Sequence, residues 1–334
     1  MKLTPLGRWT TLLAVPLAGA LLLGACGGDD DDASGSGGDS ELSGEILVSG
    51  SSTVEPITSL VGESFFEENP GVDVVVEGPG TGDGFKKFCA GETDISDASR
   101  QIKDEEIALC EEAGIEYVEI PVAYDAISVI TSSNNDAVEC LTFEDQYGLV
   151  GPESNDVGTW ADAKEITATS DLPDAPIEIF APGEESGTFD SYVELVLEDL
   201  TAERLGEDYD GPPTRDYGGL ADDNQIIAGI QSMDSSYGWV GFAFADQADV
   251  KSLEVDGGDG CVAPSAATVE DGTYPISRTL YIYVSKNKLE GNDALAAFVD
   301  FYLDNPDFVT EADYINLDEA TADEARTAWD EATA

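Results

Sequence analysis

Gly183-Glu184-Glu185-Ser186-Gly187-Thr188-Phe189-Asp190 follows an apolar, strand-like run through Ile177, Ile179 and Phe180. It opens onto residues spaced three and four apart, Phe189, Tyr192, Val193, Val196 and Leu200. The spacing predicts a strand, a small-residue turn and then a helix. Such a turn leaves the first N–H groups of the helix without carbonyl partners. Together with the positive end of the helix dipole, those donors favour an anion. Ser186 and Thr188 add two hydroxyls, and Gly187 lets a ligand approach the backbone. An ordinary helix cap uses the same residue types, so the stretch gains meaning only if the chain repeats the arrangement.

It does. The strand Glu45–Val48 runs into Ser49-Gly50-Ser51-Ser52-Thr53, and a helix begins near Val54 with Ile57, Leu60, Val61 and Phe65 on one face. A second strand, Val72–Val76, leads into Gly78-Pro79-Gly80-Thr81-Gly82-Asp83-Gly84 and a short helix carrying Phe85 and Phe88. Those glycines do not have the GxGxxG spacing of a dinucleotide loop and read as another anion-facing turn. Asp94-Ile95-Ser96-Asp97-Ala98-Ser99-Arg100 is a short strand ending in a serine and an arginine, whose planar fork suits a tetrahedral anion. A fourth turn, Gly218 to Asn224, precedes the helical Gln225, Ile226, Ile227 and Ile230, but offers acids, among them Asp223, in place of hydroxyls. Tyr117–Ile130 and Tyr274–Val284 are long apolar strands suited to crossing between two lobes. Helices near 293–304 and 319–332 finish the chain. Repeated strand–turn–helix units predict an α/β fold in which ligands sit where strand ends meet helix starts.

The first 25 residues read as an export signal, with Lys2 and Arg8 ahead of an apolar run from Thr11 to Leu23. Leu23-Gly24-Ala25-Cys26 looks like a lipoprotein cleavage site, with lipid attached to Cys26. A low-complexity acidic Gly/Ser tether fills 26–43. The expected placement is therefore outside the cell, held to the membrane through the lipid alone. Four cysteines remain, and in an exported chain an even number predicts two disulfides with three possible pairings. Cys89–Cys110, which closes a short loop, and Cys140–Cys261, within one lobe, are preferred. A metal site is not expected, because there is no CxxC and no histidine.

The formal charge is −56, and loss of Lys2 and Arg8 with the acid-free signal takes it to −58. Nucleic acid and anionic lipid surfaces are poor partners for such a chain. No Ser-His-Asp triad can form without histidine, and neither GxSxG nor a Walker lysine loop occurs. An enzyme is not expected, nor a cofactor. The mature arginines are Arg100, Arg204, Arg215, Arg278 and Arg326.

Gly50-Ser51-Ser52-Thr53-Val54, Gly84-Phe85-Lys86-Lys87-Phe88, Asp94 to Arg100, Ser186-Gly187-Thr188-Phe189 and Tyr274-Pro275-Ile276-Ser277-Arg278 together resemble the phosphate-binding lipoproteins that feed the phosphate-specific ABC transporter. The resemblance runs from about Gly44 to the C-terminus. It implies a monomeric, two-lobed type II binding-protein fold, with lobe 1 at 44–125 plus 276–334 and lobe 2 at 126–275. Such a fold closes by a hinge on one phosphate and delivers it to membrane permease subunits. It implies contacts from Ser52, Thr53 and the Val54 amide, from the Gly82, Gly84 and Phe85 turn, and from Ser186, Gly187 and Thr188. Two departures bear on the site. The arginine that better-known members carry four residues before the serine is here Pro182, and their aspartate is here Arg100, with Ser99 beside it. Arg100 is then expected to supply the guanidinium. The carboxylate that accepts the ligand's proton is expected at Asp223, next to Asn224, or else at Asp97 or Glu184. Sulfate, molybdate and tungstate are the alternative ligands, and a metal-dependent phosphatase or a surface adhesin the alternative classes.

Overall fold

The computed structural model describes residues 42–334 except Glu185. The signal, Cys26 and most of the tether lie outside the described residues. The first third alternates strand and helix: β1 (Gly44–Gly50), α1 (Glu55–Glu68), β2 (Val72–Glu77), α2 (Thr81–Cys89), β3 (Ile95–Ala98) and α3 (Asp104–Ala113). The long β4 (Tyr117–Thr131) leads to β5 (Cys140–Thr142), α4 (Phe143–Val150), β6 (Glu178–Ile179), α5 (Gly187–Tyr192) and α6 (Glu198–Leu205). Next come α7 (Asp223–Ser232), β7 (Ser236–Gly241), α8 (Phe242–Gln247), β8 (Lys251–Ser252), β9 (Glu254–Asp256), β10 (Cys261–Val262) and α9 (Ala266–Glu270). The chain closes with β11 (Ser277–Ser285), α10 (Lys286–Leu289), α11 (Asp293–Asp304), α12 (Asp307–Glu311) and α13 (Glu319–Thr333). Among the described residues no helix is long and apolar enough to cross a membrane.

The main sheet has the order β2-β1-β3-β11-β4-β7-β6, with β8 also on β4. β4 joins its two halves. Its residues up to Ala126 pair with β11, and Ile127 to Ile130 pair with β7. Pro121, which has no N–H to donate, sits where the β4–β11 register shifts beside Tyr281. Either half buries its own core. On the first, Ile46, Val48, Ile57, Phe65, Leu295 and Phe298 pack between sheet and helices, and Phe85, Phe88 and Tyr283 pack on the opposite face. On the second, Tyr147, Trp160, Tyr192, Tyr237 and Trp239 gather, with Tyr192 stacked on Trp239 at 4.0 Å between ring centroids. These are the two lobes of the expected α/β fold. Both expected disulfides form, Cys89–Cys110 between α2 and α3 and Cys140–Cys261 across the small sheet β10-β9-β5.

Three local expectations need correction. The apolar run before Gly183 yields only the two-residue β6, because its pairing with β7 ends at Ile179↔Tyr237. The helical pattern from Phe189 to Leu200 breaks into α5, a π turn over Val193–Leu197, and α6. Gly82, Gly84 and Phe85 are not a turn but the first residues of α2, which starts at Thr81 after Gly80 takes a positive φ of 104°.

Candidate anion-binding site

The site grows from the end of β1. A Cβ on Gly50 would lie 2.0 Å from the Asp97 carbonyl oxygen, so only glycine lets β1 and β3 end side by side. The Ser51 N–H donates to that same oxygen at 2.9 Å. The carbonyl of Ser51 then accepts from the N–H groups of Val54, at 3.2 Å, and Glu55, at 3.0 Å. The Val54 amide, expected to hold the ligand, is thus engaged in its own turn, and its side chain is fully buried. What this loop presents is hydroxyl: Ser52 and Thr53 line a cavity of about 400 Å³.

The start of α2 forms the next wall. Gly80 donates to the Gly50 carbonyl at 2.8 Å and fixes the helix beside β1. Thr81 and Gly82 line the cavity, where the first N–H groups of a helix have no carbonyl one turn back. Gly84 does not face it. A Cβ there would sit 2.4 Å from the Gly50 Cα, so Gly84 is a packing glycine. Phe85 is core, edge-on to Tyr283 and 5.7 Å beneath the Arg100 guanidinium. Neither of these two expected residues lines the cavity, because both turn inward from the start of the helix.

Ser99 and Arg100, after β3, complete this side. The Ser99 hydroxyl meets Thr81 Oγ1 at 3.0 Å. Arg100 grips Glu106 with both terminal nitrogens at 2.8 Å, and Nη1 also donates to the Gln101 carbonyl at 3.1 Å. Among the described residues these bonds use three of its five N–H groups and leave Nε–H and one on Nη2. Although burial works against it, Arg100 and the Lys103 N–H hold Glu106 below its ordinary pKa. Glu106 therefore stays ionised and fixes the fork.

The opposite wall is acidic. Asp190, Glu194 and Glu198 come from α5, the π turn and α6 and share the cavity with Lys103. Burial first, then Glu194 and Glu184, pushes the Asp190 carboxyl up, and burial and Glu194 push up Glu198. Beside Thr53 stands Arg278, whose side chain is only 8% exposed and is paired with Asp125 and Glu194.

Of the residues expected at the site, the cavity gathers Ser52, Thr53, Gly82, Ser99 and Arg100. Ser186, Gly187 and Thr188 do not line it. Ser186 Oγ accepts from the Thr188 N–H at 3.2 Å as a cap, and Gly187 faces the Tyr314 hydroxyl. Gly183 and Glu184 line a separate cavity of about 430 Å³ with Arg215, whose Nη1 donates to the Val157 carbonyl at 2.7 Å and whose buried Nε has no partner among the described residues. Asp223 and Asn224 begin α7, where the Asn224 N–H donates to Asp222; neither lines either cavity. Asp97 is wholly buried behind the β1 turn. Thr81 lies in a turn that the sequence marks as anion-facing, whereas Lys103, Asp190, Glu194 and Glu198 on the cavity wall, and Arg278 behind Thr53, were not expected there. Asp190 ends the stretch quoted at the outset, and Arg278 closes the Tyr274–Arg278 motif, so both lay within segments already singled out.

A family model described as a PBP superfamily domain matches residues 35–306. Protein SphX of Synechocystis is 41% identical over 84% of this chain and 80% of its own length. The phosphate-binding protein PstS of Staphylococcus haemolyticus is 34% identical over 94% of either chain. Among solved structures, a possible phosphate binding protein from Planctomyces limnophilus superposes with a TM-score of 0.78 at 34% identity, covering 88% of this chain and all of that one. The receptor of an ABC-type phosphate transporter from Vibrio cholerae, at 20% identity and a TM-score of 0.57, shares the fold. With a model spanning most of its length and relatives above 30% identity over four fifths or more of either chain, the chain belongs to the PBP superfamily, within the family of the phosphate-binding protein PstS.

Proposed function

We propose that this protein captures inorganic phosphate outside the cell and hands it to the permease subunits of an ABC transporter, without chemistry of its own. The relatives named for phosphate binding support the ligand. The observation that carries the reading is the two-sided cavity. One side offers hydroxyls of Ser52, Thr53, Thr81 and Ser99, the α2 N-terminus and the free edge of Arg100. The other offers carboxylates. Phosphate near neutral pH needs both, since its bare oxygens accept hydrogen bonds and its remaining proton must be donated. Sulfate has no such proton and would meet an unpaired, repelling carboxylate. Asp190 is the acceptor we favour. Closure is a hinge motion about β4 and β11 between lobe 1 (44–125 plus 276–334) and lobe 2 (126–275), and it brings Ser186, Gly187 and Thr188 onto the anion. The protein works as a monomer anchored by lipid on Cys26.

Calorimetric titration with phosphate and then sulfate at pH 7 tests this. Phosphate should bind at least roughly 10⁴-fold more tightly than sulfate, with a contraction in small-angle scattering on adding phosphate. Asp190→Asn should narrow that ratio by weakening phosphate and admitting sulfate. Equal binding of the two anions by the unaltered protein would overturn the reading.

A further inference from the structure

Arg278 reaches across the molecule. From β11 its Nε donates to Asp125 Oδ2 on β4 at 3.2 Å, and Nη1 donates to Glu194 Oε2 in the π turn at 2.5 Å. Nη2 donates to two hydroxyl oxygens, Thr53 Oγ1 at 3.0 Å and Ser191 Oγ at 2.8 Å. A guanidinium can only donate. Thr53 Oγ1 is therefore an acceptor toward Arg278, and its own proton must go elsewhere. Ser191 Oγ, at 3.4 Å, lies beyond the usual O–H···O range of 2.5–3.0 Å. The direction left is the cavity that Thr53 lines.

We propose that Arg278 is a positioning residue of the anion site: by donating to Thr53 Oγ1 it fixes that hydroxyl as a hydrogen-bond donor into the cavity. The assignment rests on reading this cavity as the phosphate site. Arg278 does not touch the anion. Its single positive charge is more than offset by Asp125 and Glu194, so what it contributes is orientation and polarisation of one donor, as in a chain of hydrogen bonds. A lysine could not reproduce this, because a single ammonium cannot reach two carboxylates and two hydroxyls in fixed directions.

The test is a double-mutant cycle on the whole protein, with phosphate affinity measured by calorimetry and folding of the empty protein by its thermal melt. Arg278→Gln should weaken phosphate by about 10- to 100-fold while Thr53 is present, the range of a lost charge-assisted bond. On a Thr53→Val background the same change should cost less than about threefold, because the hydroxyl that Arg278 orients is gone. Equal losses on both backgrounds, with both variants folded, would overturn the inference and leave Arg278 a structural ion pair. If Arg278→Gln fails to fold, Arg278→Lys runs the same cycle with the charge retained and the same non-additivity expected. A Thr53→Val protein that binds phosphate as tightly as the parent would remove the site reading itself, and this inference with it.

Discussion

Asp97 occupies the middle of β3 with no exposed surface, and among the described residues neither of its carboxylate oxygens has a close hydrogen-bond partner. Burial, reinforced by Glu55 and opposed by the nearby Thr58 hydroxyl, pushes its pKa up to about 7 from an ordinary 3.8. Between those two values the folded protein keeps a proton that the unfolded chain has released. Stability therefore falls as pH rises through that window, by up to roughly 4 kcal/mol in total. Asp97→Asn keeps the shape and removes the ionisation. Its melting temperature should exceed the parent's at pH 8, with the gap closing toward pH 4. A gap that does not vary with pH would show that Asp97 stays ionised in the fold. Its place just before Ser99 and Arg100 makes Asp97 look like a ligand residue. Strand parity decides otherwise: Ile95 packs in the core beneath α1, and Asp97 shares its face, while Ser96 lies against Gly84 of α2. A sequence shows that a strand exists more readily than which of its faces meets the ligand.

At the level of elements, the two disulfides act on very different lengths of chain. Cys140–Cys261 spans 121 residues and Cys89–Cys110 spans 21. Loop entropy assigns them about 5 and about 3 kcal/mol respectively. Cys140→Ser with Cys261→Ser should then lower the denaturant midpoint more than Cys89→Ser with Cys110→Ser. The opposite order would mean that the buried Cys89–Cys110 pair stabilises mainly by packing between α2 and α3. The strand–turn–helix units around Ser52 and Thr81 were legible because their hydroxyls, glycines and apolar spacings sit in one short segment. The acidic wall was not. Nothing in the sequence marks Glu194 or Glu198; Glu194 meets Arg278 from within a π turn that breaks the helical spacing, and Glu198 reaches the cavity from the start of α6. Nor was the inward turn of Gly84 and Phe85 legible, since it depends on where α2 begins, and helix starts are set by the tertiary neighbours Gly50 and Ser99.

The whole molecule carries a formal charge of −56, yet its proposed ligand is an anion. Most of that charge is far from the cavity and acts through solvent, where screening sets in beyond roughly 8 Å at physiological salt. It opposes the approach of phosphate more than it opposes the bound state. In the proposed site the attraction is short-range, from helix N–H groups, hydroxyls and the outer edge of Arg100, with Lys103 nearby. Added salt should relieve the long-range repulsion and raise the association rate constant. It should also weaken the charged contact to Arg100 and raise the dissociation rate constant. The two changes offset, so the dissociation constant should stay within about twofold between 50 and 500 mM salt, in a range where the Debye length shortens several-fold. Stopped-flow kinetics across that range separate the two rates. If affinity instead collapsed with salt while association slowed, capture would depend on a local cationic field strong enough to overcome the acidic surface, and the cavity built on Arg100, Thr53 and the α2 N-terminus would be the wrong place to look for the anion.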